Sequence, residues 1–171
     1  MKALIVIDVQ NDFVTGALGT KEAAAVLPKI KKKIDAYIAA EDQVIFTRDT
    51  HGADYLDTNE GKHLPVPHCV LGTDGWQVVP EIDRPDCVHI DKPTFGYTGW
   101  AALNSDGKFS RIEVIGVCTD ICVISNALML KAIYPETDIV VDAGCCAGVT
   151  PETHRAALTV MKSCQIDVTG A

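Results

Sequence analysis

The sequence predicts a single α/β domain spanning residues 1–171: a doubly wound, mostly parallel sheet of about six strands with helices on both faces. Three observations point there. Short, near-continuous apolar runs recur along the chain, as expected of strands covered on both faces. Segments with helical spacing lie between them, the alternation that builds parallel sheets. At 171 residues, with neither an internal repeat nor a linker, the chain can bury a core of its own.

The first run covers residues 3–7 and ends at Asp8. Leu27, Ile30, Ile34 and Ile38 then repeat at helical spacing, with Pro28 tolerated near a first turn. A second strand is predicted over residues 43–47, a third over 87–90 and a fourth over 112–117. Thr119 is a plausible cap for a helix carrying Val123, Ala127, Leu130 and Ile133. A fifth strand follows at 138–141. Thr150-Pro151-Glu152 opens another helix, with threonine as cap and proline as first residue, and residues 165–168 are the candidate sixth strand. The long irregular stretch over residues 49–79, rich in Gly, Pro, His and acidic residues, has the length of a functional loop.

Composition excludes several classes. Hydrophobic residues make up 47% and charged ones 22%, the balance of a globular chain. A formal net charge of −8, with no basic cluster to offset it, argues against a nucleic-acid or anionic-membrane partner. Lys31-Lys32-Lys33 reads as the solvated face of a helix. The apolar start is too short for a membrane span or a signal peptide. Seven cysteines, an odd number without regular spacing, suit a reduced cytoplasmic setting, most of them serving as small buried hydrophobes. Glycine fingerprints for dinucleotides and phosphate loops are missing, so no nucleotide cofactor is expected.

In open parallel sheets ligands bind beyond the carboxyl ends of the strands. Here those ends read Asp8, Asp49, Lys92 and the Cys118–Cys122 turn. Cys122 falls at a predicted helix start, where free N–H groups favour a thiolate and can hold an oxyanion. A hundredfold gain in thiolate requires about 2.7 kcal/mol. A helix terminus supplies up to about 2 kcal/mol, and Lys92 is the cation for the remainder. Asp8 is the candidate general acid–base, since no histidine sits in a Cys–His motif. Asp49, His51 and His68 form a carboxylate–imidazole set suited to Zn²⁺, Fe²⁺ or Mn²⁺. Phe13, Phe95, Tyr97 and Trp100 are aromatic candidates for a pocket wall, with Phe13 and Phe95 preferred.

Five motifs in order carry a resemblance over essentially the whole chain: Ile7-Asp8-Val9-Gln10-Asn11-Asp12-Phe13, Thr47-Arg48-Asp49-Thr50-His51, His68-Cys69-Val70-Leu71-Gly72-Thr73-Asp74-Gly75, Lys92-Pro93-Thr94-Phe95 and Gly116-Val117-Cys118-Thr119-Asp120-Ile121-Cys122-Val123. They resemble the isochorismatase-like cysteine hydrolases and, within them, the nicotinamidases. The resemblance implies an Asp8, Lys92, Cys122 triad and a cis peptide at Val117–Cys118 that aims the Cys118 and Cys122 amides into an oxyanion hole. It also implies a divalent metal, zinc first, that orients a ring nitrogen of the substrate. Glu60 is the implied fourth ligand, with Asp57 second; His63 is a weaker candidate, read first as a solvated loop residue. The implied reaction is hydrolysis of a small carboxamide, nicotinamide first, through a thioester. The family is commonly homo-oligomeric. Pro65, where an aromatic commonly stands, and Ile121, where a polar residue is frequent, leave room for another small amide, a carbamoyl compound or an ester. The competing class is a non-enzymatic, cysteine-bearing module that senses oxidants or binds a partner.

Overall fold

A computed structural model describes residues 1–170. Six strands form one sheet in the order β3-β2-β1-β4-β5-β6, every neighbouring pair parallel. They are β1 (Lys2–Ile7), β2 (Gln43–Asp49), β3 (Val88–Lys92), β4 (Arg111–Val117), β5 (Asp138–Ala147) and β6 (Asp167–Thr169). All six predicted strands are present. β5 runs six residues further than its apolar run predicts, because Cys145, Cys146 and Ala147 stay buried on the sheet.

The centre of the sheet explains the apolar runs. Ala3, Leu4, Ile5, Val6 and Ile7 are completely inaccessible, so both faces of β1 are covered. Each of the four larger side chains contributes about 1.5–3 kcal/mol by leaving water. Five helices accompany the strands: α1 (Asn11–Val14), α2 (Lys21–Ala39), α3 (Asn59–His63), α4 (Ile124–Ile133) and α5 (Pro151–Ser163). Thr150 and Thr153 make a reciprocal capping pair at the start of α5, with Pro151 in its first turn. Among the described residues, no helix is long and apolar enough to cross a membrane.

Three local expectations are corrected. Pro28 lies well inside α2, because Thr20, whose hydroxyl accepts the Ala23 N–H at 3.0 Å, starts that helix earlier than the apolar spacing suggests. Lys33 is no solvated lysine. Its ammonium lies 2.5 Å from Glu113 and 2.6 Å from Asp142, pinning α2 across β4 and β5. Thr119 caps no helix; its hydroxyl hydrogen-bonds the His154 ring at 2.8 Å, and residues Thr119–Val123 form a π-helical turn that runs into α4. The long stretch after β2 is mostly irregular but includes α3 and a 3-10 turn over Tyr55–Asp57.

Candidate active site

The parallel register puts the carboxyl ends of β1 to β4 on one edge of the sheet. Asp49 and Lys92 are direct partners in the β2–β3 ladder, and Ile7, just before Asp8, pairs with Thr47 and Gly116. Asp8 sits in the left-handed region (φ 49°), turning its carboxylate away from the strand path. Gly116 has φ 121°, and a Cβ there would lie 2.1 Å from the Ile7 carbonyl oxygen, so only glycine lets β4 approach β1 this closely. One residue later the Val117–Cys118 peptide is cis, as the resemblance implied.

Asp8, Lys92 and Cys122 meet at this edge. The Lys92 ammonium lies 2.6 Å from Asp8 Oδ2 and 3.7 Å from Cys122 Sγ, and it donates to the Thr94 carbonyl at 3.1 Å. Thr47 Oγ1 donates to the other Asp8 oxygen at 2.7 Å. Asp8 and Lys92 are fully buried and Cys122 is 4% exposed. Burial raises the Asp8 pKa, with Lys92 opposing. Burial also acts against the charge on Lys92, but Asp8, Cys122 and Asp49 outweigh it and keep the ammonium protonated. Burial and the Asp8 charge push the Cys122 thiol well above its ordinary value, against the pull of Lys92. The direction is opposite to the push toward thiolate expected of a helix terminus. A thiol beside an ionisable carboxylate is an arrangement in which a proton can pass from one to the other as charge develops.

A cavity of about 390 Å³ opens onto the sulfur. Phe13 and Phe95 line it, as do Cys118, Cys122, Asp49, Glu60 and His68. Tyr97 and Trp100 are not on its wall. Trp100 is completely buried, with its indole N–H on Asn126, and Tyr97 packs edge-on against it. Leu18, Leu64, Ile121 and Val149 supply further apolar wall, and His63, solvent-exposed as expected, borders it at the end of α3.

Beside the thiol, Asp49, His51, Glu60 and His68 bring one ligand atom each to within 4.8 Å of one another; Asp57 lies outside this group. His51 Nε2 is 3.0 Å from Asp49 Oδ2 and 3.7 Å from Glu60 Oε1, and His68 Nε2 is 3.6 and 3.8 Å from the same two oxygens. Four ligand atoms held tetrahedrally at 2.0–2.2 Å from one ion stand about 3.4 Å apart, so the spacing fits a divalent metal. The chemistry fits as well. The Nδ1–H of His68 donates to the Val66 carbonyl at 2.8 Å, which leaves the Nε2 lone pair facing the carboxylates. Asp49 Oδ1 is buried and accepts no hydrogen bond. Burial, then Asp49, raise the Glu60 pKa. Burial opposes charge on Asp49 too, but the neighbouring imidazoles of His51 and His68 and the nearby Lys92 bring its pKa well below the usual carboxylate range.

Sequence reasoning missed the residues that support this set. Gln10 is fully buried; its amide nitrogen donates to the Asp49 and Trp76 carbonyls at 2.9 and 2.8 Å, and its oxygen accepts the Asp49 N–H at 2.8 Å. Tyr55 stands edge-on to both His51 and His68, with its hydroxyl on the Leu64 carbonyl at 2.8 Å. Gln10 lay inside a quoted motif, yet nothing in the order of residues shows that its side chain spans to β2.

A family profile described as Isochorismatase domain matches residues 2–171. The chain therefore belongs to the isochorismatase domain family. Within it, the chain is 28% identical to the nicotinamidase/pyrazinamidase of Mycobacterium tuberculosis, over 98% of both chains. It is also 28% identical to the nicotinamidase of Schizosaccharomyces pombe, over 97% of this chain and 91% of that protein. Among solved structures, the pyrazinamidase of Pyrococcus horikoshii in complex with zinc superposes with a TM-score of 0.87 at 28% identity, over 99% of both chains.

Proposed function

We propose that this chain is a cysteine-dependent amidohydrolase whose substrate is nicotinamide, released as nicotinate and ammonia through a thioester on Cys122. The observation that carries the reading is the single ammonium of Lys92 placed 2.6 Å from a buried carboxylate and 3.7 Å from a buried thiol at the floor of a cavity. Family membership and nicotinamidase relatives support the class, an amidohydrolase.

Asp8 takes the Cys122 proton as the sulfur attacks the carboxamide carbon, and Lys92 balances the negative charge shared by the two groups. The backbone amides of Cys118 and Cys122 receive the oxyanion. Asp8 returns its proton to the departing ammonia, then activates the water that cleaves the thioester. Phe13 and Phe95 hold the flat ring. Asp49, His51, Glu60 and His68 would hold a divalent metal, with zinc favoured by two imidazoles and two carboxylates and by the zinc-bound relative. When bound, it supplies a Lewis-acid contact for the ring nitrogen. The enzyme works in the cytoplasm, where seven unpaired cysteines are at home, and assembles as a homo-oligomer, which light scattering on the purified protein checks.

Ammonia release from nicotinamide tests the substrate, and mass spectrometry of the enzyme during turnover tests the thioester. Cys122→Ala is expected to abolish both while the protein stays folded; activity within tenfold of wild type in that variant discards the mechanism. A second reading, hydrolysis of another small amide, carbamoyl compound or ester, is favoured by Leu64, Ile121 and Val149, which wall the cavity with aliphatic surface. A panel of such compounds, ranked against nicotinamide by kcat/KM, separates the two.

A further inference from the structure

Among the completely buried polar side chains without a part in the proposed chemistry, that of Asn126 lies nearest in sequence to the nucleophile on its helical side. Asn126 lies on α4, one turn beyond Cys122, and is inaccessible to solvent. Its amide makes four hydrogen bonds, the full capacity of the group. The nitrogen donates to the Cys122 carbonyl at 2.7 Å and to the Phe95 carbonyl at 2.9 Å; the oxygen accepts the Tyr97 N–H at 2.9 Å and the Trp100 indole N–H at 2.8 Å. Three of these partners belong to residues 93–100, the segment that follows Lys92. The neighbouring Thr94 carbonyl accepts the Lys92 ammonium. A single amide thus joins the nucleophile's turn to the segment that carries the aromatic wall and steadies the cation.

We propose that Asn126 is a positioning residue for hydrolysis, fixing Phe95 and the Lys92 ammonium relative to the Cys122 sulfur. The inference rests on the reading of Cys122 as nucleophile. Phe95 is 41% exposed and has little packing of its own to hold it, so its place on the wall depends on the backbone beneath it. A misplaced wall weakens binding, and a displaced cation slows attack, since near-attack geometry tolerates errors of well under 1 Å.

Two substitutions divide the amide's ties. Asn126→Asp keeps the acceptor for Tyr97 and Trp100 but turns an acceptor toward the Phe95 and Cys122 carbonyls. Asn126→Ser removes the ties to residues 93–100, while its hydroxyl can still bond the carbonyl four residues back, that of Cys122. Steady-state kinetics with nicotinamide and the rate of Cys122 alkylation by iodoacetamide are read on both, with circular dichroism as the check on folding. The expected result is at least a tenfold loss of kcat/KM and at least a fivefold change in alkylation rate for Asn126→Asp. For Asn126→Ser, which frees residues 93–100, the expectation is a KM raised at least fivefold, a kcat lowered at least threefold and an altered alkylation rate. A folded Asn126→Ser enzyme with wild-type KM and alkylation rate overturns the proposal, whether or not Asn126→Asp folds. If the wild-type enzyme releases no ammonia from nicotinamide, the substrate assignment fails, and the alkylation rates of the two variants against wild type still decide the positioning role.

Discussion

Replacing Lys92 by methionine keeps the length of the side chain and removes the one cation shared by Asp8, Asp49 and Cys122. At 3.7 Å, a full charge on sulfur and the Lys92 ammonium attract by about 4 kcal/mol at an effective dielectric of about 20. Each 1.36 kcal/mol is tenfold in rate, so kcat should fall by about 10³. Folding is affected separately. The substitution strands two buried carboxylates, and breaking such a pair costs about 3–5 kcal/mol. Asp8 offers partial relief by taking up a proton. Its folded-state pKa already lies above the ordinary value and rises further without the cation. A raised folded-state pKa contributes stability at low pH and loses it as pH climbs through that value. The gap in melting temperature between Lys92→Met and wild type should therefore be narrower at pH 5 than at pH 8. Ammonia release and iodoacetamide alkylation of the folded variant at both pH values supply the assay. A variant that keeps more than a tenth of wild-type kcat, with an unchanged alkylation rate, refutes the reasoning.

Stripping divalent metal with a chelator, verified by elemental analysis, should raise KM for nicotinamide at least tenfold; unchanged kinetics in metal-free protein would reassign Asp49, His51, Glu60 and His68 to structure. Gly116→Ala should destabilise the fold by about 2–4 kcal/mol, measured by urea unfolding, because the new Cβ meets the Ile7 carbonyl at a φ that side chains avoid. A loss below 1 kcal/mol would mean that β1 and β4 can part without penalty. Asp142 gives an acid limb. Burial opposes its charge, yet Lys33 holds its pKa below the ordinary 3.8, so it contributes stability above that value and loses it as pH falls through the folded-state one. Melting temperatures of Asp142→Asn should show a shallower decline below pH 4 than wild type; parallel curves count against the pairing.

What the order of residues reveals depends on the reach of the interaction. β1 was legible because five successive apolar side chains leave no solvated face, and the start of α5 because its cap lies within three residues of its partner. The edge where Asp8, Asp49, Lys92 and Cys122 gather followed from parallel strands alone. The start of α2 was hidden by the polar Thr20-Lys21-Glu22 segment and by Pro28, which tertiary packing of Ala23, Ile30 and Ile34 overrides. The upward push on the Cys122 thiol was not legible because helix-terminus arguments assume partial exposure, and this sulfur is almost completely buried. Gln10, Tyr55 and Asn126 went unread for a common reason. Each acts through hydrogen bonds or ring contacts to residues far away in the chain, and nothing in local composition marks such partners.

Lys92 ends β3, a rim strand that is laddered on one side only, to β2. Strands at a margin open more readily than those in the middle. Mild urea should accordingly silence turnover while the amides of β1 and β4 still resist deuterium. Loss of catalysis would then mark the first loosening of the sheet, well before the molecule unravels.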